Sequence, residues 1–336
     1  MHIEGLHCLV TGGAGFIGSH LVDELIRKDC RVRVLDNLSN GKLENLVGHW
    51  SNEDFEFYRG TVIDPFDVQH ALQGIDVVFH LACLGVRHSI VHPFENHRVN
   101  AEGSLLLLDG AYRTKVKRFV YCSSSEVYGT AQHVPMPEDH PTYPCTVYGA
   151  SKLAGEAYTR AYYKTYGMPI VITRLFNTYG PRSHHEGDAG EFVPKSIVRA
   201  LNSEPIIIFG DGGQTRDFTY VEDSARALVA ASESDAMIGQ TVNIGSNFEI
   251  SIKELAHNIS GMVSQPPTNV VYTPPRPGDV LRLYADSRKF IELCGWQPQV
   301  SFNTGITRTI EFFRNHPLGS KGLMAGESGR NWETTF

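Results

Sequence analysis

Tyr148 and Lys152 stand one helical turn apart in the run YGASK. On a helix they share a face. An ammonium beside a phenol favours the phenolate and draws its pKa down from about 10 toward working pH. Such a base takes a proton from an alcohol while the carbon bearing it is oxidised. Ser124 follows an apolar, strand-like run. Doubly wound sheets place their active sites at that end of a strand, and the hydroxyl there can relay or orient the proton. Taken alone, a Tyr/Lys pair at this spacing equally describes an exposed helix surface. Tyr158, Tyr162 and Tyr166 repeat at helical spacing and read as packing or a subunit contact.

A second group of residues could hold the oxidant. Thr11-Gly12-Gly13-Ala14-Gly15-Phe16-Ile17-Gly18 follows an apolar run and opens a helical pattern. Glycines at 12, 15 and 18 let backbone approach backbone and leave room for a pyrophosphate. The helix N-terminus offers free N–H groups and partial positive charge to that anion. Asp36 ends the next apolar run. A carboxylate there accepts both adenosine ribose hydroxyls and repels a 2′-phosphate, which favours NAD over NADP. By itself Asp36-Asn37 also suits a plain turn. The Ser39-Asn40-Gly41 loop is placed to close over the adenosine.

These residues require a scaffold that alternates strands and helices. Apolar runs at 6–11, 32–36, 77–81, 119–123 and 170–175 predict buried strands. Helical patterns cover Phe16–Arg27, 65–72, 95–112 and Val147–Tyr166. The alternation predicts an α/β fold, a Rossmann-type doubly wound parallel sheet with right-handed crossovers. After Asn177 the texture changes. Residues 180–190 read as a loop, followed by strands at Ile206–Phe209, 218–221 and Thr241–Ile244. Helices are expected near 193–201, 222–231, 252–260 and 304–314, with a Pro-rich stretch at 266–277. The expected division is an NAD-binding domain over 1–178, with about 215–250 returning to it. Residues 179–214 and 251–316 would form a smaller, partly interleaved substrate domain. Residues 317–336 lack periodicity and are expected to be a mobile tail.

Composition narrows the partners. The chain has 336 residues, 41% hydrophobic and 20% charged, which suits a globular protein with a large core. A net charge of -7 without a long basic run argues against nucleic-acid binding. The six cysteines are scattered, without C-x-x-C spacing, and read as reduced thiols in a cytoplasmic protein. No secretory signal and no membrane-length apolar run are recognised. His184, His185 and Glu186 adjoin in a glycine-rich loop, but neighbouring histidines rarely face one ion, and no metal is expected.

Thr11–Gly18, Asp36-Asn37, His80-Leu81-Ala82, Asn100, Ser123–Gly129, Tyr148–Lys152 and Arg174–Arg182 occur in the order found in the extended short-chain dehydrogenase/reductases. Over about residues 5–315 the chain resembles the nucleotide-sugar epimerase/dehydratase branch of that family. The resemblance implies Tyr148 as catalytic base, Lys152 as its electrostatic partner and nicotinamide-ribose ligand, and Ser124 as hydroxyl partner. It implies NAD contacts from Gly12, Gly15, Phe16, Ile17, Gly18, Asp36, Asn37, Leu81, Ala82 and Asn100. Asn177 matches the family's substrate-phosphate contact, Arg216 its diphosphate arginine, and Arg276-Pro277-Gly278-Asp279 a further nucleotide contact. A planar guanidinium suits phosphate oxygens. The resemblance also implies a homodimer through helices 95–112 and 147–166.

The reaction follows less directly. All branches would begin by oxidising the sugar at C4. A 4-epimerase then needs only rotation of the keto sugar, whereas a dehydratase or decarboxylase needs further groups. Glu126 resembles the glutamate of 4,6-dehydratases and UDP-glucuronate decarboxylases, but Ser125 stands where dehydratases carry Asp, and the Ser-Glu pair resembles the decarboxylases. Arg282 falls near an arginine used by decarboxylases. The YGASK segment and Arg276–Asp279 look more like epimerases. Gly60-Thr61 departs from the Gly-Asp that many relatives place near adenine. Gly85 stands where galactose-type epimerases often have lysine. The expectation is an NAD-dependent nucleotide-sugar 4-epimerase acting on a UDP-sugar, with a decarboxylase or dehydratase using Glu126 as alternative. A catalytically idle NAD-binding sensor is the different-class reading.

Overall fold

The computed structural model describes residues 1–327, 329–330 and 332. Its strands in chain order are β1 His7–Thr11, β2 Arg31–Asp36, β3 Phe55–Arg59, β4 Val77–His80, β5 Arg118–Ser124, β6 Ile170–Leu175, β7 Asn177–Tyr179, β8 Ile206–Phe209, β9 Thr215–Tyr220, β10 Thr241–Ile244, β11 Glu249–Ser251, β12 Val270–Thr273 and β13 Arg282–Leu283. The α-helices are α1 Phe16–Arg27, α2 Pro65–Ala71, α3 Val86–Val91, α4 Pro93–His97, α5 Gly103–Arg113, α6 Val147–Tyr166, α7 Phe192–Leu201, α8 Val221–Glu233, α9 Ile252–Val263, α10 Arg288–Cys294, α11 Phe302–Arg314 and α12 Gly319–Ala325.

Seven parallel strands form the large sheet, in the order β10-β6-β5-β4-β1-β2-β3. Side chains alternate across a strand, so each buried run feeds two cores. Cys8, Val10, Val77, Phe79 and Val120 pack on one face with Leu21 of α1 and Leu228 of α8. Leu9, Val78, Phe119 and Tyr121 pack on the other with Val68 of α2 and Leu107 of α5. Strand order reverses between β1 and β4. The loops leaving those strands therefore diverge and open a crevice at their carboxyl ends.

A four-stranded sheet contains β11-β9-β13 with β7 also on β9, and β8 pairs with β12. Its core gathers Tyr179, Ile197, Ile208, Leu255, Ile310 and Phe313. The segment expected to return to the large sheet from about 215 begins later. β9 belongs to the small sheet, while α8 and β10 rejoin the large one. α10 also packs there, through Phe290.

Other features also differ from expectation, among them the unanticipated α3, β7, β11, β12 and β13. β3 is a sheet-edge strand that the sequence reading lacks. The 95–112 helix is interrupted by a π-helical turn, Arg98–Glu102. Part of the 317–336 tail is helix α12, with Leu323 buried in the small-domain core. The expectation of mobility at 328, 331 and 333–336 lies outside the described residues. Among the described residues, no helix is long and apolar enough to cross a membrane.

Candidate active site

A cleft of about 850 Å³ runs along the carboxyl ends of the large sheet, between it and the small domain. Gly12, Gly15, Phe16, Ile17 and Gly18 line its floor. A Cβ on Gly12 would lie 2.8 Å from the Ala82 nitrogen, and one on Gly18 would lie 2.1 Å from the Gly12 oxygen. Side chains at either place would force the turn open. α1 starts at Gly15 without a side-chain cap, so its first N–H groups face the cleft for an anion.

Asp36 ends β2 beside this cradle. It accepts N–H bonds from Ala14 at 3.0 Å and Leu38 at 2.8 Å. Burial raises its pKa, and those two bonds oppose the rise. Asn37, Ser39, Asn40, Leu81 and Ala82 line the same end, as do Gly60 and Thr61. The glycine cradle, the uncapped helix and the buried carboxylate together fit a dinucleotide whose ribose hydroxyls meet Asp36.

Ser124 and Glu126 leave the end of β5, and Tyr148 and Lys152 lie on the first turns of α6. Thr146 caps α6 by accepting from Gly149 N–H at 3.2 Å. Close docking holds the helix against the strand. A Cβ on Gly149 would lie 2.6 Å from the Glu126 oxygen, and one on Gly155 would lie 2.1 Å from the Tyr121 hydroxyl. Deeper along α6, Glu156 is fully buried and receives Arg174 at 2.9 and 2.8 Å and Ser123 Oγ at 2.6 Å. That network fixes α6 to β5 and β6.

Lys152 Nζ donates to the Cys122 carbonyl at 2.8 Å. Burial works against its charge, but Cys83, Tyr121 and Tyr148 hold its pKa above the ordinary lysine value. Burial and Cys83 push the Tyr148 phenol up, while the Lys152 charge and a hydrogen bond with Ser124 pull it down. The expected net lowering of the Tyr148 pKa is therefore outweighed by desolvation in this dry corner.

Opposite, the small domain supplies charge. Arg216 on β9 and Arg276 both donate to Asp279 Oδ1, at 2.9 and 2.7 Å. Asp279 thus braces two guanidinium groups, and one carboxylate leaves the pair with net positive charge. Asn177 lies close by with Oδ1 buried and unpartnered among the described residues. Glu126 is half-buried, and desolvation raises its pKa, with Arg216, Arg276 and Arg87 pulling it back. Arg87 donates to the Asp188 and Ala189 carbonyls at 2.9 and 3.1 Å, and burial lowers its pKa to about 10.

Two residues stand elsewhere than expected. Asn100 does not line the cleft: it is 1% exposed and clamps the Leu84 backbone, accepting from its N–H at 2.8 Å and donating to its carbonyl at 2.9 Å. It shapes the 81–85 loop from behind. Arg282 is turned outward and pairs with Glu249 at 2.6 and 2.8 Å, away from the cleft. Asp188, Glu191, Phe209 and Gln214 line the cleft without a signal in sequence spacing. Among the described residues, no group of three His, Cys, Asp or Glu is arranged to hold a metal ion.

Comparison with known proteins adds the following. The family model described as GDP-mannose 4,6 dehydratase matches residues 9–309. The UDP-glucose 4-epimerase of Mycolicibacterium smegmatis is 39% identical over 320 residues, 92% of this chain and 99% of that one. An epimerase structure from Methanothermobacter thermautotrophicus superposes with a TM-score of 0.88 at 37% identity, covering 93% of each chain. A Thermus thermophilus UDP-glucose 4-epimerase in complex with NAD gives 0.84 at 33% identity, covering 93% of this chain and 100% of that one.

Proposed function

The chain belongs to the nucleotide-sugar epimerase/dehydratase branch of the extended short-chain dehydrogenase/reductases, and from that membership we propose that it is an NAD-dependent 4-epimerase of a UDP-sugar. NAD, when bound along the glycine cradle and Asp36, supplies reversible oxidation at the sugar C4 carbon. Tyr148 takes the C4 hydroxyl proton and later returns it. Lys152 stabilises the phenolate, and Ser124 orients the shared proton. Arg216 and Arg276 grip the diphosphate while Asp279 holds both in place. Asn177 lines the same end, where its amide N–H2 can donate to a phosphate oxygen. With the nucleotide held and the sugar free to turn, either face of C4 can be presented.

The observation that carries this reading is the close docking of Ser124, Tyr148 and Lys152 at one end of the cleft, with the braced arginines opposite. The outward turn of Arg282 counts against the decarboxylase, and Ser125 beside Glu126 counts against the dehydratase. Glu126 itself, a half-buried carboxylate in the cleft, favours the decarboxylase or dehydratase as second reading. The test is incubation with UDP-, dTDP-, GDP- and CDP-sugars, read by mass spectrometry and proton NMR. A product of unchanged mass with inverted C4 is expected, and Tyr148→Phe should abolish it while leaving NAD bound. Loss of water or of CO2 would move the assignment to a lyase using Glu126. NAD binding without turnover of any sugar would favour the idle sensor.

A homodimer is part of the proposal. α5 and α6 leave Leu105, Tyr112 and Tyr166 exposed, with the Tyr112 and Tyr166 rings 4.8 Å apart. Light scattering should give twice the chain mass, and Tyr112→Glu with Tyr166→Glu should give the monomer.

A further inference from the structure

An epimerase interrupts its reaction half-way. The electron pair taken from C4 must stay in the site until the sugar has turned, so a cofactor that escapes strands an oxidised sugar. The loop 180–191 bears on that requirement. His184, Asp188, Ala189 and Glu191 line the cleft, and the His184 charge reaches Asp36 at the ribose end. The loop is anchored at both ends. Arg182 donates to Asp23 of α1 at 2.8 Å, and His20 of α1 bonds the Pro181 carbonyl at 3.0 Å. At the far end, Arg87 holds the Asp188 and Ala189 carbonyls.

Between these anchors Glu186 pairs with Lys42, which belongs to the other wall. Lys42 directly follows Ser39-Asn40-Gly41, and its N–H donates to the Ala14 carbonyl at 2.9 Å. The pair therefore joins the adenosine-side loop to the small-domain loop. The Glu186 carboxylate also takes the His185 N–H at 3.0 Å, with His185 Nδ1 2.8 Å away. Burial works against its charge, but His184, His185 and Lys42 hold its pKa well below the usual range. The Lys42 and Glu186 side chains are 43% and 29% exposed, and Gly41 beside Lys42 and His184 two residues before Glu186 line the cleft.

We propose that the Lys42–Glu186 pair is a latch that closes loop 180–191 over the dinucleotide and retains it between the two halves of the reaction. Both are positioning residues and touch no reacting atom. The inference rests on the dinucleotide reading above.

The test uses NAD-loaded protein, freed of excess nucleotide and diluted, with released nucleotide quantified over time by filtration and chromatography. Glu186→Gln and Lys42→Met should each release NAD about fivefold faster, the size of a partly buried ion pair. The double variant should be no faster than either alone, because both remove one contact. Lys42→Arg should release at the wild-type rate. Wild-type release rates in both single variants would overturn the latch alone. A wild-type protein that holds no NAD would overturn the functional reading and the latch together, and this is seen before any variant is compared.

Discussion

Gly149→Ala puts a methyl group where backbone already stands. Its Cβ would lie 2.6 Å from the Glu126 carbonyl oxygen and 2.9 Å from Pro144 Cβ, whereas ordinary contact begins at 3.4 Å. The start of α6 must then retreat by roughly 0.8 Å, the difference from the nearer contact, or distort locally. Two stability effects oppose each other. Alanine gains up to about 1 kcal/mol of helix propensity over glycine, and overpacking costs about 1–3 kcal/mol. The net is a loss of about 0–2 kcal/mol, a modest drop in Tm. Catalysis is more sensitive, because Tyr148 is the preceding residue and moves with the turn. A displacement near 1 Å costs about a hundredfold in rate. The assay is kcat on the sugar found in the substrate panel, alongside Tm and NAD retention. A hundredfold lower kcat with NAD retained and Tm slightly lowered is expected. Wild-type kcat with a raised Tm would show that this contact does not set the approach of Tyr148 to Ser124.

Other perturbations separate the parts of the site. Asp36→Asn should weaken NAD by about tenfold, the scale of a charge-assisted hydrogen bond, and narrow the preference over NADP. Calorimetry with both dinucleotides measures it, and equal affinities before and after would remove Asp36 from ribose recognition. Arg282→Ala should change kcat/KM by no more than about twofold, because an exposed pair is worth about 1 kcal/mol at most. Collapse of turnover would restore the decarboxylase reading. His80 is buried between Thr11 and Ser104, and burial followed by the Lys152 charge lowers its pKa to about 3. Below its ordinary 6.5 the unfolded chain takes up a proton that the folded ring refuses. Its stability contribution is full above that value and falls toward pH 3 by about 1.4 kcal/mol per unit. Urea melts at about pH 7 and about pH 5 should therefore converge for wild type and His80→Gln. Parallel losses would show that His80 does not carry the dependence.

The large sheet was legible because its central strands are short, largely apolar runs. β3 was not, since Phe55–Arg59 alternates charge and ring at a half-buried edge. The helix expected at 95–112 keeps its apolar spacing through the π turn, so periodicity could not reveal the break. α12 is built largely of Gly, Ser and Ala and gains its place from Leu323 under the small domain. The expected return from about 215 missed that β9 pairs with β7 and β11, a register that only three-dimensional pairing decides. Within the site, motif order located the cradle, Asp36, Ser124, Tyr148 and Lys152. It did not distinguish Asn100, which shapes the wall, from residues that line it. Nor could spacing show that Arg87, Arg216 and Arg276 converge on Glu126, because they arrive from α3, β9 and the loop after β12.

The buried Glu156–Arg174–Ser123 network divides the labour of evolution within this fold. It pins the helix bearing Tyr148 and Lys152 to two strands, so the oxidation chemistry is part of the rigid frame. The sugar's surroundings come from the segments around 85–88, 184–191, 209–216 and 276–279, which run outside that frame. Their side chains can be exchanged, and their lengths altered, without moving the base or its lysine. A designer seeking a different sugar should vary those four segments while keeping Arg216, Arg276 and Asp279, and leave α6 untouched.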